Sequence, residues 1–415
     1  MIPMFDYYKN KHEVVSSDMI KPGLEAVNRA LRMLNNPHLA QFVCHVAGTN
    51  GKGSTITMLE RICQEHQLTT ATFMSPCIED VHDQIKINGH PITTEQMDLA
   101  FLEVKKAGIS GLLTDFELLT VIAFTIIREA NVDLAIIESG MGGRFDSTNS
   151  VEPLVSIIPS IALEHTNYLG NTLASIAFHK AGIIKQNSVA LIGTVPEEAH
   201  KVIVVEAAKK QAQLLEMTKD FHVNGEGYFE DGQLCYTQLK RSMLGAHQGA
   251  NMALAIRAFH AMATTLQIQP EEQKIRHAVA TSFLAGRFEK IARHVYMDGA
   301  HNPASAKKLR QTIEEQFPQA KICFIVGMLK DKDVNGVLRE LEQVSEQFVF
   351  VAIEQQQTRQ MPIEQLLKIS QARQKSTAQN VVEVVNRMRD DCIVIVTGSL
   401  YLLATWRKSL LEQLK

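Results

Sequence analysis

Cysteine is scarce and unpatterned in this chain. The six residues, at 44, 63, 77, 235, 323 and 392, include no CxxC pair, and most lie in apolar runs such as KICFIVGM and DCIVIVTG. That excludes a zinc framework or disulfide scaffold and predicts buried free thiols in a reducing compartment. No stretch approaches about 18 uninterrupted apolar residues, so no membrane-spanning helix is expected. The N-terminal MIPMFDYYKNKHE lacks a basic region followed by an apolar one, so no signal peptide is expected and the reading is a cytoplasmic protein. An excess of either charge is missing too. Lys and Arg number 42 against 45 Asp and Glu, a net charge of −3, which leaves no global field to recruit nucleic acid or an acidic membrane. There is no internal repeat, no low-complexity tract, and no GxGxxG after a first strand, which argues against a dinucleotide oxidoreductase.

What is present is alternation. Short apolar, β-branched runs at 42–48, 70–75, 132–139, 154–161 and 188–194 are separated by helical-period segments such as GSTITMLERICQEHQ and FELLTVIAFTIIREAN. Strands apolar throughout and joined through helices predict a parallel sheet covered on both faces. From 215 to 245, NG and DG dipeptides between short alternating runs predict an antiparallel excursion. A helix over 249–266 follows, then a second alternation with strands at 294–300, 321–329, 347–354 and 392–399. At 415 residues the chain is too long for one core, and FLAGRFEK (283–290) is the linker candidate. The expected fold is α/β: a P-loop ATPase-like, mostly parallel sheet domain over 1–287 and a smaller Rossmann-like domain over 288–415.

The chemistry begins at CHVAGTNGKGSTI (44–56). The common phosphate-loop rule places Ser or Thr directly after Gly-Lys; here Gly51-Lys52 is followed by Gly53, and the hydroxyls come one place late, at Ser54 and Thr55. The stretch nevertheless follows an apolar strand and opens a helix, where backbone N–H groups and the helix dipole together make an anion site. Lys52 can reach phosphate oxygens as a point charge, and Ser54 or Thr55 can hold Mg²⁺. About ninety residues on, VDLAIIESGMGGRFDSTN ends a strand in Glu138 before a glycine-rich turn, the place for a carboxylate that binds a nucleotide's Mg²⁺. A third strand leads to His165 at the same sheet end. Taken singly, Glu138 also suits a strand-end acid facing water, His165 a capping residue and Lys180 a solvated helix lysine.

Together these segments resemble the Mur ligase superfamily of ATP-dependent amide ligases, and within it the folylpolyglutamate and dihydrofolate synthases. AGTNGKGS is similar to that family's phosphate loop, which explains the shifted hydroxyl. ESGMGGRFDSTN, SIALEHTNYLGNTLASIAFHKAGIIK and GRFEKIARHVYMDGAHNPAS resemble its later motifs, in order, from about residue 20 to the C-terminus. The resemblance implies that Gly48, Thr49, Asn50, Gly51, Lys52, Gly53, Ser54 and Thr55 cradle the phosphates of ATP. It implies Glu138 and His165 as ligands of Mg²⁺, two ions being expected, with Ser54 or Ser75 supplying hydroxyl oxygen. Lys180 falls where the family has a lysine that can be carbamylated; Lys52, Glu138, His165 and Lys180 form the implied catalytic set. Asn251, Arg287, Asp298 and His301 match nucleotide-contact positions. Asp115, Phe116, Glu117 and Leu118, with Phe145, Asp146 and Ser147, match pterin-binding segments.

The implied activity is addition of L-glutamate to a reduced folate, and to dihydropteroate in bifunctional members, through an acyl phosphate with release of ADP and phosphate. The implied partners are these small molecules, and the chain is read as a monomer. Three departures stand out: Cys77 replaces the family's histidine after Ser-Pro, Asp83-Gln84 replaces Glu-Arg, and Glu164 replaces the aspartate before His165. Two alternatives share parts of the pattern. A cell-wall amino-acid ligase would keep the ATP site, and a non-catalytic nucleotide switch would keep the phosphate loop without needing Glu138, His165 and Lys180 together.

Overall fold

In the computed structural model of the chain, which describes residues 2–19, 21–224, 228–353, 358–388 and 392–414, eight strands form the first sheet. They are β1 (Phe42–Val46), β2 (Thr70–Phe73), β3 (Ile85–Ile87), β4 (His90–Pro91), β5 (Leu134–Glu138), β6 (Val155–Ile158), β7 (Val189–Ile192) and β8 (Gln213–Glu216). The order is β4-β3-β2-β5-β1-β6-β7-β8, parallel from β2 to β8, with β3 and β4 added antiparallel at one edge. The longer strands match the apolar runs of the sequence, each trimmed by a residue or more where the chain turns toward the sheet's end. β3, β4 and β8 have no counterpart among the expected strands: β3 and β4 have only two or three residues, and β8, QLLE, is a partly exposed edge strand without an apolar run.

Four helices matter for the site: α1 (Lys52–Glu65), α2 (Asp115–Ala130), α3 (Leu173–Ala181) and α4 (Ala246–Ala263). α2 starts in a Thr114/Glu117 capping box and is buried almost all round, from Glu117 to Ile127, so it serves as a core helix against one sheet face. Its Leu119, Ile122 and Ile126 pack with Val43 and Ile137; Ala177 and Ile176 of α3 pack in a second cluster with Ile158 and Ile192. Burying each such side chain stabilises the fold by about 1.5–3 kcal/mol, and this burial fixes the strand ends. β1 lies between β5 and β6, with the chain leaving it for one side of the sheet and later returning to the other. A crevice at the carboxyl ends of strands is expected at such a switch point.

Three short strands, β9 (His222–Asn224), β10 (Tyr228–Glu230) and β11 (Cys235–Tyr236), pair antiparallel as the turn signals predict. Gly225, half of the NG signal, lies outside the described residues, as does Glu354 at the end of one expected strand. A second sheet contains β12 (Glu289–Ala292), β13 (Val295–Met297), β14 (Lys321–Val326), β15 (Gln347–Val351), β16 (Gln374–Ala378) and β17 (Cys392–Thr397) in the order β12-β13-β17-β14-β15-β16. All but β12 are parallel, and hydrophobic clusters cover both faces. The chain divides into two compact units, Met1–Ser242 with Gln248–Phe283, and Met243–His247 with Leu284–Lys415. Among the described residues no helix is long and apolar enough to cross a membrane. The cysteines are free; five are buried as expected, whereas Cys235, on a short outer strand, is exposed.

Candidate active site

β1 delivers the chain to the phosphate-loop motif, and α1 starts at Lys52. Gly51 caps α1 with φ 89°, in the left-handed region, and a Cβ there would collide with Asn251 Oδ1. Asn251 is buried on α4, and its Nδ2 donates to Gln248 Oε1 at 2.8 Å, which leaves its Oδ1 turned toward the loop. Thr49 N–H donates to Ser160 O at 2.9 Å, Ala162 N–H donates to Thr49 Oγ1 at 3.0 Å, and Asn50 N–H donates to Ser160 Oγ at 3.0 Å. These bonds tie the loop to the segment after β6. Ser54 and Thr55 are buried in the first turn of α1, and Thr55 Oγ1 has no hydrogen-bond partner among the described residues.

Register places Glu138, the last residue of β5, beside Val46, the last of β1. Lys52 Nζ donates to Gly48 O at 3.0 Å and lies 3.6 Å from Glu138 Oε1. Ser75 N–H reaches Glu138 Oε2 at 3.4 Å. Lys180, near the C-terminal end of α3, is only 3% exposed. Burial first, and then the Lys52 charge, push its amine down to about 7, while Glu164, Asp146 and Glu138 pull it back up. Arg144 N–H donates to His179 O at 2.6 Å and Asn149 Nδ2 to Gly182 O at 3.0 Å, docking the glycine-rich turn onto the end of α3. His165 takes the left-handed conformation (φ 51°) before a short helix, Thr166–Leu169, with Nε2 3.9 Å from Glu164 Oε1. Direct contacts thus join Lys52, Ser75 and Glu138; Lys180 shares their field, and His165 connects through Glu164.

Among the described residues no group of three His, Cys, Asp or Glu side chains is arranged to hold a metal ion alone. Mg²⁺ does not require one, since it keeps several waters and is held by one or two carboxylates plus substrate phosphates. Glu138, at the head of the loop beside Lys52 and the Ser75 amide, is a carboxylate of that kind, and the Ser54 and Ser75 hydroxyls and the His165 imidazole are donor types that suit the ion. The residues fit the ion.

The pterin-matching segments have mixed surroundings. Asp115 accepts from Lys9 Nζ at 2.9 Å and from Ser16 Oγ at 2.5 Å; these bonds and the Lys9 charge hold its carboxyl below the usual range although burial works the other way. Glu117 Oε2 accepts from Thr114 N–H at 2.8 Å in the helix cap, and Leu118 is core. Phe116 is the member turned to the glycine-rich turn, its Cζ 2.5 Å from where a Gly140 Cβ would be, and it stacks on Phe73 at 6.0 Å. Phe145 is exposed and meets His179 edge-on at 5.7 Å; Ser147 Oγ is 2.7 Å from Thr120 Oγ1. Asp146 is buried and accepts from Met141 N–H at 2.8 Å and Thr148 Oγ1 at 2.6 Å. Its role as clamp of the turn is missing from the sequence reading, though Asp-Ser-Thr is a readable signature of an acid bonding two residues ahead.

The departures after Ser75 are internal. Cys77 is buried, its thiol pushed up to about 12 mainly by burial. Asp83 Oδ2 accepts from Ile78 N–H at 2.9 Å and Glu79 N–H at 2.6 Å, and Gln84 is buried. In the second unit, Asp298 accepts from Phe288 N–H at 2.8 Å and Ala300 N–H at 2.9 Å. Burial raises its carboxyl, with Arg287 the largest opposing influence. His301 Nδ1 lies 2.8 Å from Gly299 O, Arg287 Nη1 donates to Gly286 O at 3.1 Å, and both side chains act electrostatically on the Asp298 carboxyl.

Comparison with known proteins agrees with this geometry. Residues 46–259 match the Mur ligase middle domain, and 286–400 match the Mur ligase glutamate ligase domain. The dihydrofolate synthase/folylpolyglutamate synthase of Bacillus subtilis is 32% identical over 432 residues, covering 98% of this chain and all of that one (100%). The structure of Escherichia coli FolC in complex with DHPP and ADP superposes with a TM-score of 0.88 at 28% identity, covering 98% of this chain and 96% of that one. A bifunctional folylpolyglutamate synthase/dihydrofolate synthase with Mn, AMPPNP and L-glutamate bound gives 0.88 at 27%, covering 98% of each. With both its domains matched and the P-loop, Glu138 and Lys180 set at one sheet end, the chain belongs to the Mur ligase family, in its folylpolyglutamate and dihydrofolate synthase branch.

Proposed function

We propose that this chain joins L-glutamate to a folate in an amide bond, with ATP converted to ADP and phosphate, and that it also accepts dihydropteroate. The observation that carries this reading is the Lys52–Glu138 pair at 3.6 Å at the head of the phosphate loop, with Lys180 buried behind it. Such a site can bring two anions, a carboxylate and a γ-phosphate, together. The two related structures hold DHPP with ADP, and Mn with AMPPNP and L-glutamate, which supports a reaction that uses a nucleotide, a divalent metal and glutamate.

A carboxylate does not condense with an amine in water, because hydroxide is a poor leaving group. Transfer of the γ-phosphoryl group to the folate carboxylate gives an acyl phosphate; the glutamate amine attacks it, and phosphate leaves. The loop from Gly48 to Thr55 cradles the phosphates; the Thr49 and Asn50 amides are tied to Ser160, so the amides that open α1 from Gly51 onward face the anion, and Lys52 balances charge on the transferring group. Ser54, Ser75, Glu138 and His165 would hold Mg²⁺, which when bound supplies the charge neutralisation that lets the two anions meet. Lys180, with its amine near 7, has a neutral fraction able to take up CO₂ as a carbamate, releasing a proton and turning a buried cation into an anion. Asn251 is a nucleotide contact on the first unit, and Arg287, Asp298 and His301 are nucleotide-contact candidates on the second. Phe116, Phe145 and Ser147 contact the pterin, while Asp115, Asp146, Glu117 and Leu118 set their position. Residues 1–287 carry ATP and pterin binding, and 288–415 the glutamate part. The protein works as a cytoplasmic monomer.

ADP release assayed with dihydropteroate plus glutamate, a reduced folate plus glutamate, or a muramyl peptide plus its amino acid tests the assignment. Release with both pterin substrates supports it, and release with a reduced folate alone removes the dihydropteroate part. Release only with the muramyl substrate, or with no acceptor at all, overturns it.

A further inference from the structure

His45 sits in the middle of the central strand, paired in register with Ile137 of β5 and Ser156 of β6, and is fully buried where an apolar residue would be ordinary. Its Nε2 lies 2.9 Å from Thr148 Oγ1 and 3.0 Å from Ser139 Oγ, both also buried. Thr148 in turn donates to Asp146 Oδ1 twice, from Oγ1 at 2.6 Å and from its backbone N–H at 3.0 Å. The other carboxylate oxygen, Oδ2, accepts from Met141 N–H at 2.8 Å. The path therefore runs from the strand that feeds the phosphate loop to the turn that follows Glu138.

The direction of the bonds follows from counting hydrogens. A threonine hydroxyl has one, and that of Thr148 goes to the carboxylate, so the ring must donate to Thr148 Oγ1. His45 is then the neutral Nε2–H tautomer. Burial pushes its ring down to about 3, and Nδ1 has no hydrogen-bond partner among the described residues, so a proton there would be a buried donor with no acceptor.

We propose that His45 is a positioning residue: through Thr148 and Asp146 it fixes the glycine-rich turn, and with Ser139 the placement of Glu138 one residue before. The inference rests on the proposed ligase activity only for its kinetic consequence. An outer partner of this kind changes activity by roughly 10- to 100-fold when removed. A merely structural histidine would be replaced by any side chain of similar volume without effect on the turn.

His45→Leu keeps the bulk and removes the N–H; His45→Gln keeps an N–H donor. Backbone hydrogen exchange over residues 139–148, followed by mass spectrometry, reads the turn directly, and glutamate-dependent ADP release reads the chemistry. The expected result is faster exchange in this segment and a kcat about 10-fold lower or more for His45→Leu, with the KM for ATP within about threefold of the parent and with both effects largely restored in His45→Gln. Parental exchange and kcat in His45→Leu would overturn the proposal, as would His45→Gln failing as badly as His45→Leu. Should His45→Leu not fold, Thr148→Val breaks the same path and must show the same faster exchange; parental behaviour there also overturns it. A parent protein without glutamate-dependent ADP release would defeat the proposed function instead, and the exchange comparison would still decide the role of His45.

Discussion

Glu138 ends β5 with one carboxylate oxygen 3.6 Å from Lys52 and the other 3.4 Å from the Ser75 amide. Glu138→Gln preserves shape while removing the charge and one of the two acceptor oxygens. It is expected to keep the fold and lose about 100-fold or more in Mg²⁺-dependent turnover, measured as ADP release across a Mg²⁺ titration; parental turnover at saturating Mg²⁺ would end its role as a metal ligand. Lys180 makes a prediction in pH. Its amine sits near 7 when folded against 10.5 for the free side chain. Between those values the unfolded chain holds a proton that the folded chain has released, so the contribution of Lys180 to stability rises with pH through this window and is least favourable below 7. Urea denaturation of the parent and of Lys180→Met from pH 7 to pH 9 should therefore show the parent gaining relative to the variant. A constant difference across that range would mean that Lys180 is not held near 7. Individual residues such as Lys52 and Glu138 were readable in the sequence because each follows an apolar strand and borders a glycine-rich turn. His45 was not, since a histidine inside FVCHVAG carries no sign of the Thr148 hydroxyl, 103 residues away, that it meets.

The strand–loop–helix unit from β1 to α1 works as one element. Gly51 holds it with a left-handed backbone packed against Asn251. Gly51→Ala adds strain and a collision at once, a cost of about 1–3 kcal/mol. The loop relieves this strain by relaxing, and binding must reverse that, so titration with a non-hydrolysable ATP analogue is expected to show about 5-fold or more weaker binding, each ~1.4 kcal/mol being tenfold in affinity. Unchanged affinity would mean that the turn does not shape the nucleotide site. Elements of this kind were legible where they were long and strongly periodic, as in α1, α2 and the central strands. The two-residue β4, the three-residue β3 and the polar, largely exposed β16 were not, because edge strands form through neighbours distant in sequence rather than through their own pattern. The same distinction explains the pterin segment. DFEL was visible as a motif, but only packing reveals that Glu117 caps α2 and Leu118 is core, which leaves Phe116 facing the turn.

For the whole molecule, the two series of α/β alternations announced two parallel sheets; both are present as mostly parallel sheets, each with antiparallel pairing at one edge. The order of strands was not legible, nor was the short excursion Met243–His247 that packs with the second unit, since both are decided by contacts between segments far apart in the chain. The central claim concerns the whole chain as well: a P-loop, a carboxylate and a buried lysine at one sheet end serve amide formation rather than nucleotide binding alone. Mass spectrometry of the product formed from ATP, L-glutamate and a pterin substrate tests it most directly. The expected result is a pterin product heavier by one or more glutamyl residues, formed only when ATP and glutamate are both present. Consumption of ATP with no glutamylated product from either dihydropteroate or a reduced folate would contradict it.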